Sequence, residues 1–143
     1  MTALAFAAKQ HWGYPDHWIE AWRDDLTFTP EFVADHPVFV VVDGENALVA
    51  CYALVPSGGP EIQLEHVWVH PSRIGQGLGR RLFEHAAEKA RSLGGEALLI
   101  DSDPNAEAFY RRMGAERVGA LRADMDGQHR ELPQFRYTLQ GPR

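Results

Sequence analysis

The segment Val67-Trp68-Val69-His70-Pro71-Ser72-Arg73-Ile74-Gly75-Gln76-Gly77-Leu78-Gly79-Arg80-Arg81-Leu82 constrains this chain more than any other. A β-rich run feeds a loop with glycine at alternate positions, and the loop opens directly into a helical pattern. Missing Cβ atoms let successive backbone N–H groups converge on one anion, and a helix N-terminus adds its positive dipole end. Arg80 and Arg81 stand where a first helical turn favours Asp or Glu, so their charge is misplaced unless an anion is bound. A tight turn using glycine only for positive φ explains the glycines and leaves the arginines as solvated charges.

The flanking patterns place this segment in a larger order. Residues 2–12 and 15–26 read as two helices parted at Gly13-Tyr14-Pro15, and Thr29-Pro30-Glu31 opens a further helical turn. Val38–Val42 and Ala47–Val55 form a hairpin around Asp43-Gly44-Glu45-Asn46, and Glu61–Val69 extends the meander beyond a Pro/Gly loop. Leu78, Leu82, Phe83, Ala86, Ala90 and Leu93 recur at helical spacing, and Gly94-Gly95 ends that helix. Ala97–Ile100 reads as a buried strand. Asp103-Pro104 then caps a helix over Asn105–Met113, and Val118–Met125 and Phe135–Leu139 close the chain as strands about Asp126-Gly127. Antiparallel strands, then strand–helix–strand–helix, then a hairpin, make a mixed α/β sheet.

Composition narrows the classes. A chain of 143 residues with 45% hydrophobic and 24% charged content is expected to fold as one domain. Fourteen Lys and Arg against twenty Asp and Glu give −6, which removes the basic footprint of a nucleic-acid binder. The lone Cys51 lies in an apolar run and has no intrachain disulfide partner. It reads as a buried thiol in a reducing compartment, so the cytoplasm is the expected location. No stretch approaches the ~18 apolar residues of a membrane span, and Thr2–Ala8 lacks the positive flank of a secretion signal. No metal site is expected.

The anion has two readings. A dinucleotide fold wants Gly-x-Gly-x-x-Gly and an acid about 20 residues on. Asp101 meets the second demand, but Arg80 falls at the third glycine position and too little chain remains for a second half. A P-loop fails because the segment holds no Gly-Lys-Ser/Thr.

Val69-His70-Pro71 with Gly75-Gln76-Gly77-Leu78-Gly79 resembles the acetyl-CoA pyrophosphate loop of the GNAT superfamily of N-acetyltransferases. Asp103-Pro104-Asn105-Ala106-Glu107-Ala108-Phe109-Tyr110-Arg111-Arg112-Met113-Gly114 is similar to that family's second motif. The resemblance implies one GNAT-like domain over residues 1–143: an antiparallel meander plus a parallel strand pair, with helices on both faces. It implies acetyl-CoA as cosubstrate, held by Val67, Trp68, Val69, Ile74, Gly75, Gln76, Gly77, Leu78, Gly79, Arg80, Asn105, Phe109 and Tyr110. It also implies a small-molecule amine acceptor. Two features depart from the family: Ile74 stands where Gln or Arg is usual, with Arg73 one place earlier, and the first strand is missing or very short. The second departure leaves a sheet edge uncovered and makes a homodimer an expectation.

Acyl transfer to an amine needs a base, an oxyanion donor and a donor to the leaving thiolate. Glu65 is the expected base, because period-2 alternation groups it with Val67 and Val69 beside the loop. His66, with an ordinary pKa suited to the task, is the alternative base; His70 reads as structural or exposed. Tyr110 shares a helix face with Ala106, Phe109 and Met113, and the family likeness places its hydroxyl as donor to the thiolate. The likeness also puts the oxyanion donor at a backbone N–H near Val67. Trp12, Tyr14, His17, Trp18 and Trp22 read equally as an acceptor wall or as an amphipathic core. Cys51 lies outside both motifs, so direct attack without an acetyl-enzyme is expected. The rival readings are a nicotinamide or flavin oxidoreductase and a non-catalytic acyl-CoA-binding regulatory module.

Overall fold

Asp43 makes the first turn of the sheet. Its N–H donates to the Ala47 carbonyl at 3.0 Å, while its carboxylate accepts the N–H groups of Glu45 and Ala47 at 2.8 and 3.0 Å. Asn46 takes a left-handed φ of 63°, which Asn tolerates in such turns. The turn joins β1 (Val38–Val42) to β2 (Leu48–Pro56), and β3 (Glu61–Val69) comes next. The computed structural model describes residues 1–139. Its six strands run in the order β1-β2-β3-β4-β6-β5, with β4 at Ala97–Asp101, β5 at Glu116–Met125 and β6 at Gln128–Thr138. β4 lies parallel to β3, with Glu61 opposite Ala97, while β1 with β2, β4 with β6 and β5 with β6 are antiparallel. The mixed sheet expected from the order of patterns is the one observed, and the all-parallel sheet of the dinucleotide reading is absent.

Six helices accompany the strands: α1 (Thr2–His11), α2 (Asp16–Ala21), α3 (Arg23–Leu26), α4 (Pro30–Asp35), α5 (Leu78–Ser92) and α6 (Glu107–Arg112). The single helix expected over 15–26 is divided at Trp22, whose N–H is shared between the carbonyls of Trp18 and Ile19. That local tightening lays the indole against Ala5, Ile19 and Leu26. The helix expected from Asn105 begins instead as a 3-10 turn, Pro104–Ala106, because Asp103 takes the Asn105 N–H at 2.8 Å. β6 starts seven residues earlier than its apolar pattern suggests. The early residues are largely exposed and polar, and Pro133, which accepts the Ser102 N–H at 2.8 Å and has no N–H to return, stands where the β4 ladder ends, one residue beyond Asp101 opposite Gln134.

Residue contacts divide the chain into two compact units, Met1–Ala53 with His66–Leu82, and Leu54–Glu65 with the residues from Phe83 onward. In the first, Ala5, Ile19 and Leu26 gather Phe6, Tyr14, Trp22, Phe28 and Trp68 around them. In the second, buried Phe83, Ala86 and Ala90 of α5 belong to the same core as Leu98, Ile100, Tyr110 and Phe135. Gly95 allows a close approach there: a Cβ at that residue would stand 2.7 Å from Ile62 Cδ1. β1 and β5 are the outer strands of the sheet, Val40 and Val42 of β1 are exposed, and no strand precedes α1 among the described residues.

Candidate active site

The glycine segment lies wholly in the first unit. His70 N–H donates to the Val49 carbonyl of β2 at 2.8 Å, and the chain then makes a 3-10 turn at Pro71–Arg73, capped by His70 Nδ1 on the Ser72 N–H at 3.1 Å. His70 is thus structural. Ile74 is extended and exposed, and Gly75 and Gly77 take φ of 84° and 77°, left-handed values that disfavour any Cβ. Nothing lies within 4 Å of a Cβ built at either glycine, so the convex backbone is open to a ligand. The Arg81 N–H bonds to the Gly77 carbonyl at 3.2 Å, which leaves the N–H groups of Leu78 and Gly79 ahead of the helix's own ladder. α2, α3, α4 and α6 each carry an acid in the first turn; α1 and α5 carry none, and α5 presents Arg80 and Arg81. These features fit an acyl-CoA pyrophosphate: open backbone donors, a fifteen-residue helix behind them and cationic side chains at its start.

His66 changes the reading of β3. Its φ is 54°, a left-handed residue in mid-strand, so the period-2 alternation expected to run from Glu65 to Val69 does not carry across it. That correction removes the grouping of Glu65 with Val67 and Val69 by alternation alone. The His66 ring lies 4.2 Å from Phe28 and 5.3 Å from Phe32, and its Nδ1 accepts the Trp68 indole N–H at 3.3 Å. Burial pushes its pKa below the ordinary value, against a smaller pull upward from Asp25. The imidazole is therefore neutral, but the lone pair at Nδ1 is engaged by a donor, and Nε2 carries the proton. This geometry weighs against His66 as the base. Glu65, half-buried, directly precedes the left-handed residue.

In the second unit, Tyr110 is buried among Phe83, Phe109 and Phe135, with ring centroids 6.3, 5.1 and 5.9 Å away. Burial, with the charge of Asp103 adding, holds its phenol well above the ordinary value. At neutral pH it is a hydrogen-bond donor. Asn105 is exposed, its Nδ2 donating to Asp103 Oδ1 at 3.0 Å. Val67, Trp68, Val69, Ile74, Gly75, Gln76, Gly77, Leu78, Gly79 and Arg80 fall in the first unit, and Glu65, Asn105, Phe109 and Tyr110 in the second.

Two other expectations are resolved. Tyr14 and Trp18 stack at 6.0 Å and Trp22 meets both edge-on at 5.1 and 6.0 Å; Trp18 is buried and belongs to the core, Tyr14 and Trp22 are half-buried, and Trp12 is exposed. Cys51 is fully buried, donates to the His66 carbonyl at 3.5 Å and has its thiol pushed up to about 12 by burial. A thiolate nucleophile is ruled out there. Sequence reasoning missed Asp43 as the partner of Arg73, 2.8 Å away, although the Asp-Gly turn itself was visible. No group of metal-binding side chains occurs among the described residues, and none of the described helices is long and apolar enough to cross a membrane.

Comparison with known proteins places these features in context. A model of the acetyltransferase (GNAT) family matches residues 3–115. The streptothricin acetyltransferase of Streptomyces lavendulae is 36% identical over 85 residues, covering 57% of this chain and 45% of that one. The chain spans less than half the length of the curated relatives it matches. A GCN5-related N-acetyltransferase structure from Rhodopseudomonas palustris superposes with a TM-score of 0.78 at 20% identity, covering 96% of this chain and 87% of that one. An aminoglycoside 6'-N-acetyltransferase in complex with coenzyme A gives 0.68 at 20% identity, covering 98% and 90%. At that identity the likeness of the structures is one of fold.

Proposed function

The chain belongs to the acetyltransferase (GNAT) family, and on that premise we propose that it transfers an acetyl group from acetyl-CoA to a primary amine of a small molecule, by direct attack. The observation that carries the reading is the start of α5, where two open, left-handed glycines and an arginine pair take the place of the first-turn acid. Acetyl-CoA supplies the activated acetyl thioester. Backbone N–H groups over Gly75–Gly79, with Arg80, hold its pyrophosphate, and Val67–Val69, Ile74, Asn105 and Phe109 line its path. Streptothricin and aminoglycosides, named in the relatives, support a small amine-bearing acceptor. A buried single thiol supports a reducing, cytoplasmic setting, and the exposed valines of the outer strand β1 support a homodimer.

Glu65 takes the proton from the attacking amine, directly or through water, since an amine of ordinary pKa near ~10 arrives protonated. A backbone N–H near Val67 meets the carbonyl oxygen as charge builds on it. Tyr110 donates to the departing sulfur. A phenol held above its usual value of 10.0 does not surrender its proton to a thiolate whose conjugate acid has a pKa of about 8.5. Its contribution is a hydrogen bond that strengthens as negative charge reaches the sulfur, and the proton that the nitrogen loses as the amide forms passes through water to the thiolate.

The test is an amine screen that monitors thiol release, repeated with Tyr110→Phe on the acceptor found. Turnover should fall roughly 10²-fold or more while acetyl-CoA affinity stays level, because the ring is kept and only the donor is lost. Glu65→Gln should slow turnover most at low pH, and His66→Gln should act chiefly on stability. Tight NAD binding without coenzyme A binding would overturn the proposal.

A further inference from the structure

We propose that Asp43 and Arg73 form a strap that positions the glycine loop for the cosubstrate, with Arg73 acting through Asp43 and not on the ligand. This rests on the acyl-CoA reading of the loop. Arg73 is the last residue of the 3-10 turn before Ile74, and its Nη2 donates to Asp43 Oδ2 at 2.8 Å, thirty residues away in sequence. The other carboxylate oxygen of Asp43 is occupied by the Glu45 and Ala47 N–H groups. One side chain thus closes the β1–β2 turn and anchors the residue that launches the loop.

The anchoring is two-ended. Arg73 N–H donates to the His70 carbonyl at 2.8 Å, and His70 N–H is bonded to Val49 of β2. Beyond Arg73 the chain runs through extended Ile74 and two left-handed glycines before α5 takes hold. Glycine is the residue that loses most conformational freedom when it is fixed. A fixed point immediately upstream reduces what the ligand itself must order, which is the general route by which pre-organisation raises affinity. Asp43 is about a fifth exposed and Arg73 about a third, so the pair is partly shielded from solvent. It also accounts for Ile74: with the guanidinium one place earlier held by Asp43, the loop relies on backbone donors alone on this side. Asp43 and Arg73 are positioning residues.

Calorimetry with acetyl-CoA on Asp43→Asn, Arg73→Met and the double variant tests the strap. Each single change should weaken binding roughly fivefold or less, the scale of a partly exposed ion pair, and the double variant should be no worse than the worse single one. The loss should fall on KM for acetyl-CoA and spare kcat. Amide exchange on the ligand-free protein should quicken at Arg73 and Ile74, whose N–H groups donate to the His70 and Pro71 carbonyls at 2.8 and 3.3 Å, in Asp43→Asn, a readout that needs no cosubstrate. Arg73→Met far weaker than Asp43→Asn, or fully additive losses, would make Arg73 a direct ligand contact and overturn the strap. Unchanged amide exchange would overturn it as well. Failure of the unaltered protein to bind acetyl-CoA would instead sink the acyl-CoA reading, with exchange still deciding whether Asp43 steadies the loop.

Discussion

In the first turn of α6 the chain places an acid, whereas in the first turn of α5 it places none. Asp103 caps the 3-10 turn that leads into α6, taking both the backbone and the side-chain N–H of Asn105, and Glu107 stands in the first turn of α6, bonded to Arg111 at 2.8 and 3.0 Å. α5 opens with Leu78, Gly79, Arg80 and Arg81, after two glycines with nothing against their Cα hydrogens. A helix start closed from within is a folding device, complete without any ligand. One with arginines and no acid in its first turn costs the free protein dipole energy and returns it when an anion binds.

Reversing that difference should have its largest effect at Arg80. Arg80→Glu should lower acetyl-CoA affinity about 100-fold by calorimetry, since a pairing charge becomes a repelling one. Its thermal midpoint should hold or rise, because a first-turn acid complements the dipole by about 0.3–1 kcal/mol. A fall in stability matching the fall in binding would mean the arginine is structural. Gly77→Ala should destabilise by about 1–2 kcal/mol in urea despite the open space, as an alanine cannot take left-handed φ freely. Gly44→Ala, in a turn with equal space and no positive φ, should stay within about 0.5 kcal/mol.

Asp103→Ala should cost about 1 kcal/mol of unfolding free energy, the value of a helix cap. The smallest effect belongs to Glu107. Hydrogen bonding from Arg111 holds its carboxyl below the ordinary 4.5, so its contribution is complete above that value and is lost only as pH falls through the lowered one. Glu107→Gln should therefore flatten the acid limb of a stability–pH profile below about 4.5 and leave the neutral region alone. An unaltered acid limb would show that α6 does not depend on its own first-turn charge.

Legibility in the sequence tracked how local the cause was. α5 announced itself through its apolar spacing, and its entrance through glycines whose backbone demands are intrinsic to the residue. Thr29 and Asp103 each cap the turn immediately after them, so Ser/Thr/Asp rules found those starts, although the 3-10 turn at Pro104–Ala106 displaced the helix proper. The left-handed His66 was not legible, because no glycine marks it; Phe28, Phe32 and Trp68 hold the ring, and the Cys51 thiol bonds its carbonyl. Nor was Asp43–Arg73, whose partners are separated by two strands. The early residues of β6 were missed for the opposite reason: an exposed outer hairpin has little apolar surface to bury, so alternation has nothing to sort.

Cys51 has a practical corollary. As the only sulfhydryl in the chain, sealed in β2 and held as a thiol, it is silent towards alkylating and disulfide reagents while the fold stands. On the proposed acetyl-CoA reaction, released coenzyme A is then the sole source of colour in a thiol-reagent assay on the native enzyme. The same cysteine becomes reactive when the chain opens, at one equivalent per molecule, so a single reagent reports catalysis at its fast phase and unfolding at its slow one.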